Sequence, residues 1–204
     1  VELYDTEEQQ VEAIKDWWKE NGKAVIFGAV IGLGGLFGWR YYQDSVVAAQ
    51  EAASESYTKV VQTLAEQGVD AQADMQTFID SNKKTEYATL AALQLAKVQA
   101  ETGNLDEAIA QLEWAISSTQ DAALSAVINY RLARVKAEQG EFDAAVAQLA
   151  SIDEQSWASR VAELKGDILL RKGDAEGAYA AYTEAQQSGD ASQTLQLKLD
   201  DLAK

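Results

Sequence analysis

The chain has 204 residues, 33 acidic against 17 basic side chains, a net charge of −16, and no histidine, cysteine or proline. Without imidazole or thiol there is no zinc or copper site of the usual kinds, no histidine base and no thiolate nucleophile, and disulfides are neither needed nor formed. The acidity argues against nucleic acid and anionic headgroups as partners. Carboxylate pairs such as Asp200 with Asp201 read as solvated surface, and no phosphate loop, nucleophile elbow or Ca²⁺ loop is present.

Residues 1–22 form a charged leader in which Val11, Ile14 and Trp18 recur at helical spacing, with Asp5 and Glu8 placed to cap its start. This predicts a short amphipathic helix at a membrane surface that sets the depth and angle of the adjoining apolar run.

That run, Ala24 to Trp39, carries no charge and lies between Lys23 and Arg40. As a helix it covers about 24 Å against roughly 30 Å of hydrocarbon. Trp17, Trp18 and Trp39 to Tyr42 can sit at the two headgroup levels while Lys23 and Arg40 snorkel outward, extending the span by a turn at each end. The expectation is one transmembrane helix over residues 23–42. Five glycines in the run would each cost about 1 kcal/mol in a helix in water, but are common in lipid, where they allow close packing. Gly28, Gly32 and Gly35 share a narrow stripe, extended by Gly34 and Gly38, and are the candidate helix-packing positions. A cleaved signal peptide is disfavoured because more than twenty largely charged residues precede the run.

Lys15, Lys19 and Lys23 lie on the amino side and Arg40 alone lies close on the other. The positive-inside rule therefore predicts a cytoplasmic amino terminus and, in a bacterial inner membrane, a periplasmic segment 43–204. Residues 1–42 hold 4 basic and 7 acidic groups, leaving 13 and 26 for that segment.

Alanine-rich segments broken by glycine and free of proline predict an all-α fold. Gly68, Gly103, Gly140 and Gly173 recur at intervals of 35, 37 and 33, each followed five residues later by an alanine: Ala73, Ala108, Ala145 and Ala178. Four residues further on, Leu112, Leu149 and Tyr182 repeat a bulky group. A period near 34 of helix, glycine turn and helix resembles the tetratricopeptide repeat family over about 88 to 186, with a degenerate first unit from about 55 to 84. The glycine takes the left-handed helix end, the alanine lets two helices approach, and the bulky residue fills the gap. Ala92, Asn129 and Ala162 replace that family's usual large aromatic, and Gln120 stands where a proline usually ends a unit. The tail from Ser192 to Lys204 reads as a terminal helix closing the stack.

Such arrays hold a peptide or protein on the face lined by their first helices. The family's groove positions fall on Leu93, Lys97, Tyr130, Arg134, Arg160 and Arg171, basic groups and one aromatic suited to extended, acidic or carbonyl-rich segments. The Lys and Asn pattern that clamps a terminal carboxylate is not met, because Leu93 and Lys97 occupy its first two places.

EAIKDWWKENGKA, a glycine-rich span ending GWRYY, AVINYRLARVKAE (126–138) and LKGDILLRKGDAEGAYAAY (164–182) together resemble the YfgM family of ancillary SecYEG translocon subunits, nearly end to end. The resemblance implies a single-span inner-membrane protein whose periplasmic repeat domain associates with SecYEG and the chaperone PpiD and assists translocating polypeptides. It supplies no catalytic residue and no cofactor. A scaffold of another envelope complex and a regulator acting through its leader are the alternatives.

Overall fold

A computed structural model describes residues 7–189 and 192–202, with side chains from Gln10 onward. Asp5 and the side chain of Glu8 lie outside the described residues, so the expected cap of the leader does too. The described residues are helical with no strand, and they divide into two compact units, Val1–Ala52 and Ala53–Lys204.

The first unit is the amino-terminal part of α1 (Glu7–Gln67), a candidate membrane span. From Glu7 onward, the leader and the apolar run are one uninterrupted helix rather than two. Its large apolar side chains are bare: Phe27 is 69% exposed, Ile31 71% and Phe37 70%. A helix that is apolar all round and unburied by its own chain matches lipid as its solvent. Trp17 and Trp18 lie 6.5 Å apart, and Trp39 and Tyr42 6.3 Å apart, as aromatic pairs at the two ends of the run.

The second unit is an array of helix pairs. The end of α1 shares a core cluster with α2 (Gln72–Ser81), where Tyr57 meets Phe78; α3 (Glu86–Glu101) pairs with α4 (Leu105–Ser118), α5 (Ala122–Glu138) with α6 (Phe142–Leu149), and α7 (Ala158–Lys172) with α8 (Ala175–Gln187); α9 (Leu195–Leu202) comes last. Each helix packs chiefly on its neighbours in sequence, and the core runs as successive clusters along the stack.

The turns explain the repeat. Gly103, Gly140 and Gly173 have φ of 84, 86 and 92°, the left-handed region that side chains disfavour. Each closes its helix with the same two bonds. The Gly103 N–H donates to Ala100 O and the Asn104 N–H to Gln99 O; Gly140 with Glu141 and Gly173 with Asp174 repeat this. Asp121 and Asp174 then cap the helices that begin after them, accepting from the N–H of Leu124 at 2.8 Å and of Gly177 at 2.9 Å.

Ala108, Ala145 and Ala178 are fully buried, each the fourth residue of its helix, and Leu112, Leu149 and Tyr182 are buried four residues later. The first pair departs from this. A short 3₁₀ turn, Gly68–Ala71, delays α2, so its fourth residue is Met75 rather than Ala73. Met75 is buried, Ala73 is exposed, and Ile79 fills the bulky position. The expectation for Ala73 is thereby corrected: spacing from the glycine fails where the helix starts two residues late.

α9 covers the last pair with Leu195 and Leu199, which bury against Tyr182, Ala185 and Ala162. Lys198 supplies its polar anchor. Its ammonium donates to Asp167 Oδ1 and Oδ2 at 2.7 and 2.9 Å and to Glu163 Oε1 at 2.9 Å, and the Tyr182 hydroxyl donates to Asp167 Oδ1 at 2.7 Å.

Candidate partner-binding face

The first helices α3, α5 and α7 present the face on which the sequence places its candidate residues. Between α3 and α5 lies an open groove of about 410 Å³. Leu93, Ala96, Leu112 and Val135, all buried, make its floor, while Lys97, Glu101, Arg134 and Glu138 stand exposed at its rim.

Three of the sequence candidates, Leu93, Lys97 and Arg134, meet in this groove, and the other three do not line it. Leu93 belongs to the hydrophobic core and offers its surface only as floor. Lys97 reaches Glu101 one turn along at 3.8 Å.

Tyr130 is half-buried against the cluster around Leu149 and Ile168, its ring 5.4 Å from that of Trp157. Burial pushes its phenol upward, opposed by the charge of Arg134. The Arg160 guanidinium sits 5.5 Å from the centre of the Trp157 ring. Arg171 is committed elsewhere, with a two-pronged contact to Glu138 at 2.8 and 3.2 Å and a position over the Phe142 ring.

Two contributors escape the sequence reading. Trp157, in the 3₁₀ turn before α7, is the neighbour that fixes both Tyr130 and Arg160. Arg131 is half-buried in the groove wall and donates Nη1 to Leu93 O at 3.4 Å. Burial, and next the adjacent Arg134, lower its pKa, though a guanidinium stays charged. Its signal was the spacing of Arg131 and Arg134, three apart on one helix face.

The arrangement sets the cations Lys97, Arg131 and Arg134 around an apolar floor.

Comparison with known proteins fixes the family. The description "Tetratricopeptide repeat-like domain" matches residues 15–204. An ancillary SecYEG translocon subunit of Escherichia coli (strain K12) is 39% identical over 207 residues, covering all of both chains. This chain belongs to the family of ancillary SecYEG translocon subunits.

Another member of that family, from Haemophilus influenzae, is 36% identical over 198 residues, spanning 96% of this chain and 97% of its own. Among solved structures, Pseudomonas aeruginosa pilF aligns with a TM-score of 0.58 at 17% identity, over 75% of this chain and 68% of its own. A tetratricopeptide repeat protein from Parabacteroides merdae aligns equally well, with a TM-score of 0.58 at 16% identity over 73% and 60%. These two likenesses concern the fold alone. In family terms the helical array is tetratricopeptide-like, and the apolar helix ahead of it fits an inner-membrane protein.

Proposed function

We propose that this chain is a non-enzymatic, single-span subunit of the SecYEG translocon, with residues 1–22 cytoplasmic, 23–42 in the membrane and 43–204 periplasmic. Its array works with the chaperone PpiD in handling polypeptides as they emerge. The observation that carries this reading is the extent of the family match: the 39% identity spans both chains completely, apolar helix and array together. A repeat array tethered beside a translocation pore meets emerging chain at high effective concentration, which makes modest affinities useful.

Affinity-tagged full-length protein, extracted in mild detergent, will co-purify SecY and PpiD. Failure to recover either, with other envelope complexes recovered instead, overturns the assignment. Gly28, Gly32 and Gly35 are our proposed contacts for a neighbouring membrane helix. A Cβ at any of them meets no atom of the described residues within 4 Å beyond the helix's own backbone. Gly28→Leu with Gly32→Leu therefore leaves the array's stability unchanged but lowers recovery of the membrane partners several-fold, because the partner helix can no longer approach. Unchanged recovery removes the stripe from the interface.

The topology has its own test. The protein has no native cysteine, so Lys15→Cys and Ser188→Cys each carry a single thiol. Both positions are exposed. An impermeant maleimide on intact cells, with the outer membrane permeabilised, will label Ser188→Cys and not Lys15→Cys; the reverse pattern inverts the topology.

A further inference from the structure

Three candidates stand outside the packed core: the groove between α3 and α5, the aromatic step at Trp157, and the ion cluster at Lys198. The ion cluster is fully occupied by its own chain, and the aromatic step is capped by Arg160. The groove is different, because two of its cations have no ion-pair partner among the described residues.

Of its rim carboxylates, Glu138 is held by Arg171 at 2.8 Å, and Glu101 faces Lys97. Among the described residues, no carboxylate lies within ion-pair distance of Arg131 or Arg134. The half-buried Arg131 donates one long bond to a backbone carbonyl, leaving most of its five N–H donors available. Two neighbouring guanidinium groups with unshared donors, one of them partly desolvated, sit in a chain of net charge −16. Such a pair forms a local positive field over an apolar floor.

We infer that the groove between α3 and α5 binds side-chain carboxylates of an extended acidic segment of a partner polypeptide, through Arg131 and Arg134. The inference deepens, and rests on, the reading that this face holds polypeptide. Charge complementarity favours carboxylates, and the planar guanidinium fork suits them in two-pronged geometry. The floor of Leu93, Ala96 and Val135 takes the apolar stems of such a segment. A chain terminus is a poorer fit: no amide side chain lines the groove to orient a terminal carboxylate, and the Asn129 amide oxygen is engaged by Gln148 at 2.7 Å. Nucleic acid is opposed by the acidity of the surrounding surface.

The test uses full-length protein in detergent micelles and fluorescein-labelled synthetic peptides with amidated C-termini, one of alternating Glu and Ala and one of Gln and Ala. The Glu peptide will bind more tightly than the Gln peptide, and its affinity will fall with added salt. Arg131→Gln will weaken it about tenfold, the worth of a charged hydrogen bond in a partly dry site. Arg131→Lys will be intermediate, and the exposed Arg134→Gln will cost a factor of about three. Lys84→Gln, an exposed lysine away from the groove, will change nothing. Helical signal and unfolding midpoint are measured for each variant, and Arg134→Gln, which breaks no side-chain bond among the described residues, keeps the test valid should Arg131→Gln misfold. Equal binding of the two peptides, or full affinity after both arginines are replaced, overturns the inference. So does tighter binding of the Gln peptide with a free C-terminus, or of a single-stranded oligonucleotide. Recovery of SecY and PpiD reads the broader assignment separately: it can persist in the double variant while peptide binding is lost.

Discussion

Gly166→Ala destabilises the array by about 2–3 kcal/mol, although alanine is the better helix former by about 1 kcal/mol. A Cβ built at Gly166 falls inside the van der Waals envelope of Tyr182 Cδ1 and Cε1 and 3.0 Å from Cζ. The ring cannot retreat: Tyr182 is 1% exposed, packed by α9, and its hydroxyl is fastened to Asp167 at 2.7 Å. Overpacking therefore outweighs propensity. Seven residues before the turn glycines of the preceding pairs stand Ala96 and Ala133, both buried, and the corresponding bulky groups there are Leu112 and Leu149. Where the second helix carries the larger tyrosine, the first carries the smaller glycine.

That pairing gives the prediction its control. Tyr182→Leu should recover much of the loss in Gly166→Ala, because alanine with leucine is the combination in the other two pairs. A double-mutant cycle on urea midpoints should show favourable coupling above about 1 kcal/mol. Additive effects would mean that the two residues do not constrain each other. A Gly166→Ala variant as stable as the wild type would mean that α7 and α8 separate at no cost.

The helix pairs were legible because their cause is local. A residue with positive φ must be nearly always glycine, so Gly103, Gly140 and Gly173 announce their turns without reference to the rest of the chain. The apolar helix was legible for a similar reason, since Ala24 to Trp39 excludes charge throughout. The same counting failed at Ala73, where the 3₁₀ turn after Gly68 displaces the helix start and Met75 takes the buried place. Non-local partners left no such trace. Glu163 and Asp167 lie 35 and 31 residues from Lys198, and Arg171 lies 33 from Glu138. The candidate face was readable as a row of basic positions, but its division was not. Which of Lys97, Tyr130, Arg134 and Arg160 share a groove depends on how α3, α5 and α7 are offset, and that offset is set by packing.

Alkaline pH should loosen the carboxyl-terminal end of the array first. Burial alone would lower the pKa of Lys198, but hydrogen bonds from its ammonium to Asp167 and Glu163 outweigh that and raise it. The Tyr182 hydroxyl is raised too, first by burial and then by the Asp167 carboxylate that accepts its hydrogen bond. Both groups bind protons more tightly folded than unfolded, so both contribute stability that is complete below their unfolded values, about 10 for tyrosine and 10.4 for lysine. That stability is lost as pH rises through the folded values. Tyr57 and Tyr130, raised chiefly by burial, act in the same direction. The urea midpoint of the full chain should therefore be lower at pH 11 than at pH 8, and Tyr182→Phe should lessen the difference. Lys198→Met removes the cation and leaves Glu163 and Asp167 facing each other beside α9. Breaking a buried pair costs about 3–5 kcal/mol, but Lys198 and Asp167 keep 30 and 38% of their side-chain surface exposed, so screening reduces this to about 1–2 kcal/mol at pH 8. Trypsin or chymotrypsin should then cut near α9 faster than in the wild type, while sites in α3 and α4 stay protected, because repeat arrays unravel from their ends. A midpoint that does not move between pH 8 and 11, or an α9 no more accessible in Lys198→Met, would show that Leu195 and Leu199 alone hold the terminal helix in place.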